Sequence, residues 1–165
     1  MKTHLAQINI GRMRGPLEGP VMAGFAARLE EINALADGSP GFVWRLQTDA
    51  GNATYLRPYN DERMIINMSV WESLEALRDY VYRSRHAEVL RQRRDWFEKL
   101  EVPIAAMWWV PAGHVPSVDE GKKRIAHLQE HGPTPFVFSF GTTFPPDEGL
   151  ILATDWSAFE PCQAV

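Results

Sequence analysis

Short segments in which apolar and polar side chains alternate recur along the chain and predict β-strands. These segments cover residues 3–10, 42–48, 63–71, 102–111 and 135–140. Side chains of a strand point alternately to the two faces of its sheet, so the alternation also predicts which residues share a face. Glycine, proline and Asp-rich turns separate most of the segments, as expected for strands joined by loops and helices.

Apolar residues three or four positions apart predict helices between the strands. The first predicted helix covers residues 21–36, and the second begins at residue 72 and reaches about residue 100. Ser84 is interpreted either as a break in this second helix or as part of one long helix. A third helix follows Ser117, because a serine with Glu120 three residues later has the spacing of a capping box.

The element order β-α-β-β-α-β, followed by a further helix and strand, predicts an α+β protein with a ferredoxin-like fold. In that fold, helices cover one face of an antiparallel sheet and leave the other face free. No linker long enough to separate two domains is found, so we expect one domain over residues 1–144. Residues 145–165 are predicted to form a loosely ordered tail.

Each of the first three strands has a strongly apolar side and a mixed side. The mixed side carries Gln7, Asn9, Arg45, Gln47, Asn67, Ser69 and Trp71. A solvated sheet face normally carries Lys, Glu and Thr, whereas buried amides need fixed partners. The mixed face is therefore interpreted as covered by a second subunit or lining a cavity, with an ordinary solvated face as the alternative. Two such sheets facing each other would close a dimeric α/β barrel.

Composition and charge exclude several classes of protein. Apolar residues make up 45% of the 165 positions, which is typical of a globular chain. A net charge of −4 argues against nucleic-acid binding. No apolar run approaches the roughly 20 residues that cross a bilayer, and no signal peptide is evident, so we expect a cytoplasmic protein without membrane contact. The single cysteine, Cys162, excludes an internal disulfide and a cysteine-built metal site.

Several segments together resemble a known family. They are His4–Asn9, Met22–Phe25, Glu31–Ala36, Ser39–Leu46, Ser69–Ser73, Arg83–His86, Trp96–Phe97, Trp108–His114 and His131–Pro135. They resemble an uncharacterised bacterial family in the dimeric α/β-barrel superfamily of antibiotic-biosynthesis-monooxygenase-like proteins. The resemblance extends to about Phe144 and implies a ferredoxin-like homodimer. That superfamily contains cofactor-independent monooxygenases, haem-handling enzymes and proteins without known activity, so it implies no single reaction.

His86 is the strongest candidate for a catalytic group. It shares a predicted helix face with Leu90, Arg93, Arg94 and Phe97. A partly buried imidazole beside guanidinium groups has a lowered pKa and stays neutral near pH 7, so it can act as a base or bind haem iron. The alternative is a hydrogen-bonded structural histidine. No histidine pair has the spacing of a zinc motif, so no metal site is predicted.

Five residues of the mixed face are predicted to bind a substrate: Gln7, Asn9, Arg45, Asn67 and Trp71. Arg45 on this face needs either a carboxylate partner or an anionic ligand. The second helix also carries many arginines. They are interpreted as a rim that steers an anionic substrate, or as a solvated face paired with neighbouring acids.

Three functional hypotheses follow. The first is a cofactor-independent monooxygenase that oxidises a small aromatic or polyketide-like molecule, with His86 as the base. The second is a non-catalytic dimer that binds a small hydrophobic or anionic ligand or serves as a scaffold. The third places haem in the cavity with His86 as a ligand. A deep cavity lined by Asn9, Asn67, Trp71 and His86 would favour the enzyme, whereas aromatic side chains filling that space would favour the scaffold.

Overall fold

A four-stranded antiparallel sheet forms the centre of the protein. The computed structural model describes residues 1–152. The strands are β1 (Thr3–Arg12), β2 (Phe42–Arg45), β3 (Met64–Trp71) and β4 (Ala105–Pro111), arranged in the order β2-β3-β1-β4. The two inner strands, β1 and β3, pair over eight positions from Leu5–Trp71 to Arg12–Met64. The predicted ferredoxin-like order of the first six elements is confirmed.

The helices are α1 (Ala23–Asp37), α2 (Leu74–Arg83), α3 (His86–Trp96), α4 (Val118–His131) and α5 (Glu148–Leu152). Ser84 adopts an extended conformation and its hydroxyl accepts a hydrogen bond from the backbone N–H of His86, so the predicted break is confirmed. Ser117 caps α4 by accepting a hydrogen bond from the backbone N–H of Glu120 at 3.1 Å. Both serines end or start a helix because their hydroxyls replace missing backbone partners.

Helix α4 packs on the apolar face of the sheet. Its residues Ile125 and Leu128 join the strand side chains in one cluster that is almost completely buried. Gly121 allows the close approach, because a Cβ atom there would lie 3.0 Å from the side chains of Ile8 and Met68. The apolar face is therefore covered within the chain.

Helices α1, α2 and α3 lie on the mixed face. Leu77 of α2 belongs to a cluster with Trp71 and Met107, and Trp96 of α3 to another with Met22. We expected helices on the apolar sides and a second subunit or a cavity on the mixed side. The placement was wrong for α1, α2 and α3 and right for α4, whereas the cavity interpretation is confirmed. Alternation shows which residues share a face, but it does not show which helix covers that face.

A β-bulge in β2 changes which of its residues share a face. Phe42 pairs with Trp71, Trp44 with Val70, and the register shifts between them. Phe42 therefore packs beside Trp71 on the mixed side, while Trp44 packs with the apolar cluster. Strict alternation along residues 42–48 predicts that both lie on one side. That prediction is wrong, because a bulge inserts one residue and reverses the alternation.

The predicted C-terminal strand at residues 135–140 is reduced to a single bridge. Phe138 exchanges two backbone hydrogen bonds with Met107, at 2.8 and 2.9 Å. A tight turn between Thr134 and Val137 breaks the extended geometry. As a result, Phe136 joins the cluster under α4, and Phe138 joins the cluster on the mixed side. Alternation along residues 135–140 predicts a strand with Phe136, Phe138 and Phe140 on one face. Both predictions are wrong, because the turn places Phe136 and Phe138 in different clusters.

Helix α5 occupies part of the region predicted as a loose tail. The Asp147 carboxylate accepts hydrogen bonds from the backbone N–H groups of Gly149 and Leu150 and starts the helix. Cys162 and the rest of the predicted tail, residues 153–165, lie outside the described residues. No helix in residues 1–152 has the length and apolar character needed to cross a membrane.

Candidate functional site

A cavity of about 280 Å³ lies between the mixed face and helices α1 to α3. Its volume is close to the lower end of the range of about 300–1,000 Å³ found for small-molecule sites. The predicted site residues all line it: Gln7, Asn9, Arg45, Asn67, Trp71 and His86. Strands β1, β2 and β3 supply five of them, and the first turn of α3 supplies the sixth. The structure therefore brings the whole predicted set together.

Apolar side chains of α1 form one wall of the cavity. Phe25, Leu29 and Ile32 line it and are only partly buried, although their spacing predicts a packed face. Ala36 is the buried residue of this helix. The stripe on α1 faces a space large enough for a ligand, which explains why it is not fully covered by protein.

Gln7 organises the polar floor of the cavity. Its Nε2 donates hydrogen bonds to Asn67 Oδ1 at 3.0 Å and to Ser69 Oγ at 2.8 Å. Trp71 Nε1 also donates to Ser69 Oγ, at 2.8 Å. These bonds link residues from β1 and β3, and they supply the fixed partners expected for buried amides.

This arrangement leaves two donors without a partner among residues 1–152, both on residues that line the cavity. Because Asn67 accepts through Oδ1, its amide Nδ2 is left without a partner among residues 1–152. The Ser69 oxygen accepts twice, so its own proton remains to be donated. Asn9 is held weakly, since its Nδ2 lies 3.5 Å from Gln7 Oε1. Asn67 and Ser69 can therefore stabilise an oxygen atom that becomes negatively charged.

His86 has the features of a neutral base. Its Nδ1 lies 3.3 Å from the backbone carbonyl oxygen of Val81. A carbonyl can only accept, so Nδ1 carries the proton and Nε2 keeps its lone pair. Burial lowers the pKa of the His86 imidazole, and the Val81 carbonyl offsets part of this change. The direction agrees with the prediction, but the cause is burial and not the neighbouring guanidinium groups.

Aromatic rings hold the imidazole in place. The Tyr80 ring lies 4.8 Å from the ring of His86 and stacks on Trp71 at 4.9 Å between centroids. The Tyr80 hydroxyl donates to the backbone carbonyl of Ile32 at 3.3 Å. Burial raises the pKa of the Tyr80 phenol, which keeps it protonated. Trp71 itself contributes an aromatic wall, since its N–H is already bonded to Ser69.

Arg45 has the carboxylate partner that its position requires. Its Nε and Nη2 donate to the two carboxylate oxygens of Asp37 at 2.7 and 3.2 Å. Its Nη1 donates to the backbone carbonyl of Gly51 at 2.7 Å. Of the two interpretations, the carboxylate partner is confirmed. The neutralised guanidinium still lines the cavity, where it is a weak candidate for binding an anion.

Arg93 is a cavity residue that the sequence did not distinguish from its neighbours. Its Nη2 donates to the backbone carbonyl of Ile10 at 3.1 Å, and its guanidinium lies 4.9 Å from the centre of the Phe97 ring. Burial lowers the pKa of Arg93. Its position two helical turns after His86 is the signal that could have identified it. Several other arginines of residues 74–96 are solvated or paired, as in the pairs Arg83–Asp79 and Arg85–Glu31.

The residues do not fit a metal centre or haem. Within residues 1–152, no three histidine, cysteine or acidic side chains are grouped so that they could hold a metal ion. His114 is paired with Glu120 at 2.8 Å, outside the cavity. His86 Nε2 could ligate iron, but a cavity of about 280 Å³ does not accommodate a haem macrocycle without displacement of its walls.

No curated protein matches this chain. The solved structures that are similar to it include those of two proteins. One is SnoaB, a cofactor-independent oxygenase from Streptomyces nogalater, with 16% identity over 68% of this chain and 95% of that one and a TM-score of 0.45. The other is NE2512, a protein of unknown function from Nitrosomonas europaea, with 12% identity over 70% and 97% of the two chains and a TM-score of 0.46.

A family model matches residues 4–153, which is nearly all of the chain. Its description is a domain of unknown function, so the expected uncharacterised family is confirmed. The matched range includes the four strands, except for Thr3 of β1, and every side chain that lines the cavity. The chain therefore belongs to the family described as Domain of unknown function (DUF3291).

Proposed function

We propose that this protein is a small-molecule monooxygenase that oxidises its substrate in the cavity on the mixed face without a bound cofactor. One observation carries the proposal. A neutral imidazole with a free Nε2 lines the same largely apolar cavity as the hydrogen-bond donors of Asn67 and Ser69. A base and oxyanion donors around one enclosed space are what carbanion formation requires.

The first step is proton transfer. His86 Nε2 removes a proton from a carbon that is activated by a neighbouring carbonyl group and aromatic ring. The electron pair of the broken C–H bond moves into the ring system and onto the carbonyl oxygen. Asn67 Nδ2 and the Ser69 hydroxyl donate hydrogen bonds to that oxygen as its charge develops. The pKa of His86, lowered by burial, keeps the imidazole unprotonated and ready for this step near pH 7.

The second step consumes oxygen. The electron-rich carbon donates electrons to dioxygen, and a new C–O bond gives a peroxide anion on that carbon. The imidazolium of His86 returns its proton to this anion. Loss of water with the second hydrogen of the same carbon then gives a carbonyl group. One CH2 group and one O2 become one C=O group and one water, so no external reductant is needed. The apolar walls keep water away from the carbanion.

The remaining residues of the site are assigned to positioning. Gln7 turns Asn67 and Ser69 toward the cavity through its two hydrogen bonds. Trp71 and Tyr80 offer stacked aromatic faces to a flat substrate. Asn9, held only by a long contact, can turn to meet a polar group of the ligand. Arg45 ties β2 to the end of α1 beside the cavity through its bond to Asp37.

The proposal is tested with anthrone, a flat tricyclic molecule with a doubly activated CH2 group, by measuring oxygen uptake. We expect the wild-type protein to accelerate uptake and His86→Gln to reduce that acceleration by about 100-fold or more. His114→Gln is the matched control, because His114 lies outside the cavity lining. Uptake equal to the buffer rate with wild-type protein would favour the non-catalytic ligand-binding hypothesis. A Soret band in the purified protein would favour haem.

A homodimer and a cytoplasmic location remain part of the proposal. In the described residues, α4 covers one face of the sheet and α1 to α3 cover the other. A dimer would therefore join outer surfaces of the helices or strand edges, and the mixed faces of two copies would not meet. Light scattering after size-exclusion chromatography measures the oligomeric state.

A further inference from the structure

We propose that Arg93 forms an anion-binding subsite at one end of the cavity, and that the natural ligand is a flat aromatic molecule with a carboxylate at that end. This inference deepens the proposed function, on whose cavity it rests, by naming the class of substrate. It starts from a difference between two arginines that line the same space, Arg45 and Arg93.

The two arginines differ in their partners. All three guanidinium nitrogens of Arg45 donate hydrogen bonds within the protein, two to the Asp37 carboxylate and one to the Gly51 carbonyl. Arg93 donates one hydrogen bond to the Ile10 carbonyl, and no carboxylate of residues 1–152 lies within 4.0 Å of its guanidinium. A half-buried guanidinium without a counter-charge is costly. A ligand carboxylate in the cavity would remove that cost.

Gly11 of β1 makes room for the Arg93 guanidinium. A Cβ atom at this position would lie 3.3 Å from Arg93 Nη2 and 2.8 Å from a ring carbon of Phe97. The missing side chain lets the guanidinium lie between β1 and the cavity with one face on the Phe97 ring. A guanidinium has five N–H donors, and one of them is used by Ile10. Donors along its edge remain for a bidentate carboxylate.

The distance between His86 and Arg93 sets the shape of the ligand. Both lie on α3 and are seven residues apart, which is about 10 Å along the axis and returns to nearly the same side of the helix. Apolar side chains, including Leu29 and Val89, line the cavity together with these two residues. A molecule with its acid group on Arg93 and its reacting carbon at His86 would therefore be about as long as three fused rings.

Arg93 could instead have a purely structural role, in which its hydrogen bond to the Ile10 carbonyl holds α3 against the end of β1. These two roles differ in one measurable property. If the role is structural, replacing Arg93 makes the fold less stable but does not change whether the cavity prefers a charged or a neutral ligand. An anion subsite determines that preference directly.

The experiment compares two fluorescent probes with the same ring system, 2-anthracenecarboxylate and its neutral carboxamide. We expect the wild-type protein to bind the carboxylate about 10- to 100-fold more tightly, as a charge-assisted hydrogen-bonded pair provides. Arg93→Gln should abolish this preference and leave the carboxamide affinity within about 3-fold. Arg93→Lys should keep part of the preference, because lysine retains the positive charge but cannot bind a carboxylate with two parallel hydrogen bonds.

Arg94→Gln is the matched control, because Arg94 is the exposed neighbour of Arg93 and does not line the cavity. It should keep the preference in full. Equal affinities of the two probes for the wild-type protein would overturn the inference. So would an Arg93→Gln variant that weakens both probes equally. If that variant does not fold, the preference of the wild type and its reduction in Arg93→Lys decide the question.

The outcome separates this inference from the proposed function. Probe binding is measured without oxygen turnover, whereas anthrone is neutral and reports only on oxidation. Charge preference without oxygen uptake would refute the oxygenase and keep the subsite. Oxygen uptake without charge preference would refute the subsite and keep the oxygenase.

Discussion

The two faces of the central sheet are built from the same strands but are packed in different ways. On the apolar face, Ile8, Met68 and Trp108 have no exposed surface, and α4 approaches closely at Gly121. On the mixed face, three helices enclose a cavity of about 280 Å³. The densely packed face buries a large apolar cluster, which stabilises the fold. That stability allows the mixed face to keep polar side chains and open space, which a binding site needs.

The helices show the same contrast. Helix α4 buries Ile125 and Leu128 in the apolar cluster, as its sequence pattern predicts. Helix α1 has a comparable apolar stripe, yet Leu29 on that stripe is only half-buried because it faces the cavity. An apolar stripe therefore indicates which side of a helix faces inward, and it does not tell whether protein or a ligand covers it.

The largest effect is expected from removing apolar atoms under α4. Ile125→Ala should lower the free energy of unfolding by about 3 kcal/mol, because it leaves a cavity in a densely packed cluster. Leu29→Ala on α1 should cost less than about 1 kcal/mol, since this side chain is already partly uncovered. Urea unfolding measures both. Equal losses would show that the two faces are packed alike.

A smaller effect is expected from the polar floor of the cavity. Ser69→Ala removes the acceptor for Trp71 Nε1 and for one Gln7 hydrogen, and it should lower stability by about 2 kcal/mol. The comparison is Ser139→Ala, which also lines the cavity but whose hydroxyl has no hydrogen bond within residues 1–152. That variant should change stability by less than about 0.5 kcal/mol. A Ser69→Ala variant as stable as Ser139→Ala would refute the hydrogen-bond network.

The smallest expected effect is the pH dependence of stability from His86. Burial lowers the pKa of His86 in the folded protein below its value of about 6.5 in the unfolded chain. The unfolded chain therefore binds more protons below about pH 6.5, and stability falls as the pH falls through that region. His86→Gln should make the profile between pH 7 and pH 5 flatter. Thermal unfolding with parallel profiles for both proteins would contradict this assignment.

Much of the site could be predicted because strand alternation is local. Gln7, Asn67 and Trp71 fall on one side of their strands by the two-residue period alone, and the structure places them in one cavity. Their bonding could not be predicted. The bond from Gln7 to Asn67 joins residues 60 positions apart, and it depends on the register between β1 and β3.

Arg93 and Phe42 show where local patterns are insufficient. Arg93 lies among several arginines of the same helix, and only the packing of α3 on β1 separates it from its exposed neighbour Arg94. Phe42 changes sides because of a bulge, which adds a residue without a distinct signal in the local composition.

The sequence by itself determined the order of the elements, the faces of the inner strands, the helix cap at Ser117 and the family. These properties depend on periodicity, capping chemistry and similarity along the chain. Only the tertiary structure decided which face α4 covers, that the mixed face encloses a cavity within one chain, and that Arg45 has a carboxylate partner whereas Arg93 has none in residues 1–152. Such properties arise from contacts between distant segments, whose geometry depends on how all the elements pack together.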